Sequence, residues 1–241
     1  MHLAYDTRML ALLLSLVVAQ TEPIDVLVFS KTAEYRHASI GDGVRAIEAL
    51  GKQHGWDVVA TEDASRFTDK TLASVDVVVF LMTTGDVLND AQQAAFERFI
   101  QSGKGYVGIH AAADTEYDWP WYGKLVGAYF KTHPETQEAT YIVEDRSHPA
   151  TQHLPERWTR VDEHYTFLEN PRANVEVLMS LDETSFEAGE AAMGDHPVVW
   201  FHEFDGGRAF YTALGHTEAS YADETFKAHL AGAINWASGR Q

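Results

Sequence analysis

The sequence predicts an α/β protein built on a doubly wound, mostly parallel sheet, and three observations carry that prediction. Ile24–Ser30, Val75–Leu81 and Tyr106–Ile109 are short, continuous apolar runs. Runs of strand length without polar alternation suit strands covered on both faces. Between them lie Ile40–His54 and Ala91–Ser102, whose apolar residues recur at helical spacing. The connections are short, and no internal repeat, low-complexity tract or interdomain linker interrupts the β-loop-α alternation.

Taken in order, Ile24–Ser30 (IDVLVFS) opens the domain and Lys31–Ser39 forms a polar loop carrying Arg36 and His37. Ser39 is placed to cap the helix Ile40–His54, where Ile40, Val44, Ile47 and Leu50 share a face and Gly51 and Gly55 end it. Trp56–Thr61 is a second strand, Asp69–Ser74 a linker or helical turn, and Val75–Leu81 a third strand running into Met82–Asp86. Asn89 or Asp90 caps the helix Ala91–Ser102. Strand-like runs follow at Glu138–Val143, Val175–Leu181, Val198–Phe204 and Ala209–Leu214, the last two around the turn Asp205-Gly206-Gly207. A final helix spans Asp223–Ala237.

Composition narrows the function. The 241 residues are 45% hydrophobic, enough for one well-packed domain. A net charge of −18 repels phosphate backbones and anionic membranes, so neither nucleic acid nor a membrane surface is an expected partner. No cysteine is present, which excludes thiol catalysis, cysteine zinc sites and disulfides. Met9–Ala19 is an eleven-residue apolar run ending in Val17-Val18-Ala19. It is too short to span a bilayer and reads as a secretory signal peptide over 1–19. That leaves a single domain over 20–241 and a secreted or periplasmic location.

Twelve histidines make imidazole the main functional clue. Gly103–Thr115 (GKGYVGIHAAADT) reads as a strand, a sharp bend at His110, and three alanines opening a helix. A residue at such a bend projects from the carboxyl end of its strand, where open parallel sheets bind ligands. The alternative is a buried, hydrogen-bonded histidine that only shapes the turn. His37, Asp86 and His216 also follow strands, so the same edge can gather them. His133 and the group Asp162–Tyr165 lie in long connections of the kind that wall a pocket. Trp119, Trp121 and Tyr122 offer flat apolar surface for sugar rings, or ordinary core filling. No HExxH motif, serine elbow or phosphate loop is present. A divalent metal (Zn, Mn or Fe) would have to be held by His37, His110, His133 and His216 with Glu163, brought together by the fold.

The chain resembles the ThuA-like, trehalose-utilisation family over nearly its whole mature length. The matching stretches are Tyr35-Arg36-His37, Thr83–Asp86, Gly108–Thr115, the Trp-Pro-Trp-Tyr run from Trp119, His133-Pro134, His148-Pro149, Asp162-Glu163 with Tyr165, and Gly206–His216. The resemblance implies a flavodoxin-like three-layer α/β/α sandwich similar to class I glutamine amidotransferases. His110 stands where those enzymes carry a cysteine, so glutaminase chemistry is excluded.

The resemblance also implies a carbohydrate substrate handled by way of 3-keto-sugars, such as trehalose-type 3-keto-glycosides. Their cleavage by elimination and hydration needs a base, an enolate-stabilising group and an acid for the leaving oxygen. The candidate catalytic residues are His110, His37, His133, Glu163 and His216. Asp86, Asp114, Trp119, Trp121, Tyr122 and Tyr165 are the candidates for substrate binding, with Asp114 otherwise fixing the turn. The alternatives are a secreted, non-catalytic carbohydrate-binding module and a metal-dependent hydrolase with two carboxylates about 5–10 Å apart. A homodimer is the expected assembly.

Overall fold

The computed structural model describes residues 22–240, so the leader expected over 1–19 lies outside the described residues. The first half alternates as β1 (Asp25–Phe29), α1 (Ile40–His54), β2 (Asp57–Thr61), α2 (Asp69–Leu72), β3 (Val77–Leu81), α3 (Asp90–Gln101) and β4 (Gly105–Ile109). The second half runs α4 (Pro120–Val126), β5 (Phe130–Thr132), β6 (Gln137–Val143), β7 (Arg157–Asp162), β8 (Thr166–Phe167), β9 (Glu176–Leu181), β10 (Pro197–Phe204), β11 (Gly207–Thr212), α5 (Glu218–Ala222) and α6 (Glu224–Ser238).

Nine strands form one sheet in the order β2-β1-β3-β4-β11-β10-β9-β6-β7. The first five are mutually parallel, with the flavodoxin-like reversal between β1 and β3. β10, β9, β6 and β7 extend the sheet by antiparallel pairing. β5 and β8 pair separately. Both faces of the parallel part are covered. Phe80 stacks on Phe96 of α3 at 5.3 Å, while its neighbour Leu81 points the other way, against Gly43 of α1. β3 and β4 are therefore buried at every position.

Local signals explain most boundaries. Asn89 caps α3 through a reciprocal capping box with Gln92. α1 ends at Gly55, in the left-handed conformation, whereas Gly51 lies inside the helix, where its missing Cβ admits Val58. Ser39 makes no capping bond; its hydroxyl donates instead to the His216 carbonyl at 2.6 Å. The alanines after His110 open no α-helix. They form a single 3₁₀ turn, His110–Asp114, after which Thr115 is extended and pairs with Gly85. α4 starts only at Pro120, which suits the first helical turn.

Two buried histidines hold the loop after β6. The Ala150 N–H donates to His148 Nδ1 at 3.1 Å, and His229 Nδ1 donates to the Ala150 carbonyl at 2.8 Å. Burial pushes His148 down to about 4 and His229 down to about 3. Unfolding returns both rings to the ordinary histidine range, so the unfolded chain binds more protons between those values and pH 6.5. The stability these rings contribute is therefore full above pH 6.5 and is lost as pH falls towards 3–4, by about 1.4 kcal/mol per pH unit for each ring. Urea unfolding of wild type and His148→Phe between pH 7.5 and 5 should show a shallower acid slope in the variant. An unchanged slope would remove His148 from this role.

Candidate functional site

The carboxyl edge of the parallel sheet collects the histidines. β4 delivers His110 into a left-handed backbone conformation (φ 52°), uncommon for a residue with a Cβ and a mark of a sharply turned exit. The bend is held by the His110 carbonyl, which accepts from the Tyr211 hydroxyl at 2.8 Å. The ring is fixed by Nδ1, which donates to the Ala213 carbonyl at 2.7 Å. That carbonyl can only accept, so Nδ1 carries the proton and Nε2 presents a lone pair.

Nε2 of His110 lies 3.1 Å from His216 Nδ1 and 3.3 Å from Glu163 Oε2. His216 Nδ1 is in turn 3.2 Å from the same carboxylate oxygen. The His37 ring stands edge-on to both, with centroids 4.9 Å from His110 and 5.2 Å from His216. One donor atom from each of His37, His110, Glu163 and His216 lies within 4.8 Å of the others. Among the described residues no other such group of three or more donors forms.

Each donor arrives by a different route. His37 comes from the loop after β1, which is tied to the loop after β3 by the Ala33 N–H on the Thr84 carbonyl and the Thr84 hydroxyl on the Tyr35 carbonyl. His216 follows β11. Glu163 follows β7, which four successive antiparallel pairings turn to run in the same sense as β11. The flank bends back far enough for Arg160 of β7 to reach the Ser220 hydroxyl of α5 at 2.6 Å.

The electrostatics follow from crowding. Burial, then the neighbouring His110 and His216, push His37 down to about 3. Burial alone would raise Glu163, but the adjacent His110 and His216 rings hold it well below the usual carboxylate range. Glu163 in return raises His216. His133 stands outside this quartet. Its Nδ1 is 3.2 Å from the other Glu163 oxygen and 2.9 Å from the Pro134 carbonyl, and its side chain is 40% exposed, against 0% for His110.

The remaining candidates separate. Tyr165 belongs to the site, its ring 4.1 Å from His110 and 4.2 Å from Phe130. Asp114 is half-buried beside it and accepts from the Tyr117 hydroxyl at 2.7 Å; burial raises its carboxyl. Asp86 is exposed on the loop after β3 and is not among the clustered donors. Trp119 and Tyr122 are buried in the core, and Trp121 packs against it half-buried. Trp119 and Trp121 stack on each other and pack near Phe96, and Tyr122 bonds to Tyr106 and the Ala112 carbonyl. Trp121 also reaches Asp205 in the β10–β11 turn, at the amino end of β11, roughly 20 Å of strand from the histidine edge.

Two functional features escape a reading of residue types. Asp162 is wholly buried and accepts from the backbone N–H groups of Glu163, Gly215 and His216. The sequence places it only in a long connection, and neither the strand it ends nor its partners can be read from residue type. Tyr35 (65% exposed) and Tyr117 (42%) place the accessible aromatic rings beside His37 and Asp114. Concavities of about 660 and 790 Å³ lie elsewhere, sharing Asn174, Val175, His202 and Glu203 on the antiparallel flank.

The fold and its edge have relatives. The ThuA family model, described as trehalose utilisation, matches residues 25–237. A structure described as a ThuA-like protein from Bacteroides uniformis ATCC 8492 shares 26% identity and a TM-score of 0.77, over 91% of this chain and 93% of that one. One from Parabacteroides merdae ATCC 43184 shares 20% identity and a TM-score of 0.73, over 90% of each chain. A β-galactosidase from Bacillus circulans sp. alkalophilus shares the fold alone, at 13% identity and a TM-score of 0.58, over 92% of this chain and 32% of that one. No curated protein matches. With the family model spanning every strand and all but the last residue of α6, this chain belongs to the ThuA, trehalose-utilisation family.

Proposed function

We propose that this chain is a secreted or periplasmic sugar-processing enzyme that cleaves 3-keto-glycosides of the trehalose type by elimination and hydration. The observation that carries the reading is the convergence of His37, His110, Glu163 and His216, with the more exposed His133 beside them, at the carboxyl edge of the parallel sheet, where open α/β sheets bind ligands, in a chain of a family described as trehalose utilisation. Four imidazoles and a carboxylate are an acid–base kit, and no phosphate loop or nucleophilic cysteine competes with it.

The chemistry follows from the ketone. The C3 carbonyl acidifies the hydrogen on C2. A lone-pair nitrogen of the buried cluster removes that proton, and the electron pair forms the enolate. The enolate re-forms the carbonyl, makes the C1–C2 double bond and expels the C1 oxygen substituent, which takes a proton from an acid. Water then adds its oxygen to C1 while C2 regains a proton, so the sum is hydrolysis. The exposed, carboxylate-linked His133 is suited to the acid role, because the leaving oxygen departs towards solvent. His110 Nε2, buried and with its one lone pair facing the cluster, is suited to the base role where no cation occupies it. Tyr35, Tyr117 and Asp114 form the rim that would hold the ring and its hydroxyls.

Purified chain should release the aglycone from a chromogenic 3-keto-glucoside and leave the unoxidised glucoside intact. His110→Ala should abolish release while circular dichroism stays that of the folded protein; full activity in that variant would remove His110 from catalysis. Binding of keto-sugar without release, by α and β anomers alike, would favour the carbohydrate-binding module instead. Tyr117→Ala and Tyr35→Ala should each raise KM about threefold to tenfold, the worth of roughly 1 kcal/mol of ring contact, with kcat nearly constant. Trp121→Ala should lower Tm and leave KM unchanged. The reverse pattern would return the sugar platform to the tryptophan pair.

A further inference from the structure

We propose that His37, His110, Glu163 and His216 form a binding site for one divalent transition-metal ion, with Asp162 as the residue that positions it. The site goes beyond the sugar reading and does not depend on it.

The first argument is donor spacing. His110 Nε2, His216 Nδ1 and Glu163 Oε2 form a nearly equilateral triangle with sides of 3.1, 3.2 and 3.3 Å. Ligands about 2.0–2.2 Å from a common ion lie about 3.0–3.5 Å apart, depending on octahedral or tetrahedral geometry. The triangle thus has the dimensions of one face of a coordination sphere, and His37 supplies the fourth donor.

The second argument is proton count. His110 Nε2 presents a lone pair because Nδ1 is committed to the Ala213 carbonyl. The Glu163 carboxylate presents only lone pairs. Without a cation, the triangle can be held only by protons on the facing nitrogens, while His37 Nδ1 stays buried with no partner at all. A cation satisfies the lone pairs of the triangle. The Nδ1–H bond from a ligating histidine to a backbone carbonyl is also the usual device that fixes the tautomer of a metal ligand. Three nitrogens and one oxygen favour zinc, manganese or iron over magnesium or calcium, which prefer all-oxygen shells.

The third argument is support. Asp162 Oδ1 accepts from the His216 N–H at 3.0 Å and the Glu163 N–H at 3.1 Å, and Oδ2 accepts from the Gly215 N–H at 3.0 Å. One carboxylate therefore fixes the backbone of two donors that are 53 residues apart in sequence. Gly215, at φ 109°, makes the turn that aims both amides at it. Arg160 Nη2, 3.2 Å from Oδ2, offsets the buried charge.

The test uses the metal-free protein titrated with Zn²⁺, Mn²⁺, Fe²⁺ or Mg²⁺ by calorimetry, with Co²⁺ absorption reporting ligand geometry. One transition-metal ion per chain is expected, with Mg²⁺ excluded. Glu163→Gln keeps the side-chain shape, and with His216→Ala it should weaken binding about 100-fold or more. His54→Ala, on the exposed end of α1, should leave affinity unchanged. Asp162→Asn should weaken binding about 10–100-fold and shift the Co²⁺ bands, while Ser220→Ala, which spares the three amide bonds, should do neither. Absence of one-to-one binding in the wild type would overturn the site, as would binding that survives both Glu163→Gln and His216→Ala. A site intact in Asp162→Asn, with unaltered Co²⁺ bands, would overturn the positioning role. None of these readouts involves sugar turnover, so failure of the metal site and failure of the keto-glycoside reading are separable.

Discussion

The buried carboxylate of Asp162 is the constraint on which the site depends. A charge removed from water is costly unless it is paired and fully hydrogen-bonded. Here it receives three backbone N–H groups and an arginine, whose plane lies over Trp158 and Phe226 at 4.7 and 4.8 Å. That arrangement can exist only if the antiparallel flank bends back over α5 and α6. The extension β10-β9-β6-β7 is thus more than added sheet, because it returns Glu163 to the edge where the parallel strands leave His110 and His216. The Ser39 hydroxyl on the His216 carbonyl closes the same assembly from the β1 side.

The parallel half of the fold was legible because its signals are local. Strands such as VDVVVFL have no polar face, and helices α1 and α3 show both periodicity and end residues. The sharp exit at His110 was legible too, since the surrounding small residues serve no other evident purpose. The helix expected after it was not formed, because Ala111, Ala112 and Ala113 are wholly buried and Thr115 is drawn into pairing with Gly85. Tertiary contacts there override a strong intrinsic helix preference. β7 was missed for the same reason: its alternation of half-buried residues carries meaning only once β6 is beside it.

At the site, the histidines that follow strands could be gathered from topology alone, whereas the separation of roles could not. Residue type does not show that the Trp119–Trp121 stack sits at the far end of the sheet, held by Glu97 and Asp205. Nor does it show that Tyr35 and Tyr117, ordinary members of polar loops, are the exposed rings near the donors. An aromatic cluster in sequence is weak evidence for a binding platform because the same residues are the best core fillers. The informative aromatics are those left accessible beside polar groups.

The burial gradient across Glu163 gives the site a direction. One carboxylate oxygen faces the enclosed pair His110 and His216, the other faces the half-open His133. On the inner side His110 is wholly enclosed and His216 only partly exposed, and both are suited to holding an ion or taking a proton from a substrate carbon. The group on the open side can reload from water after each turnover. A single bridging carboxylate also couples the two sides, since charge placed on the inner oxygen weakens its partner's hold on His133. The polarity of the proposed reaction, with carbon deprotonation inside and leaving-group protonation outside, follows from where the chain buries each imidazole.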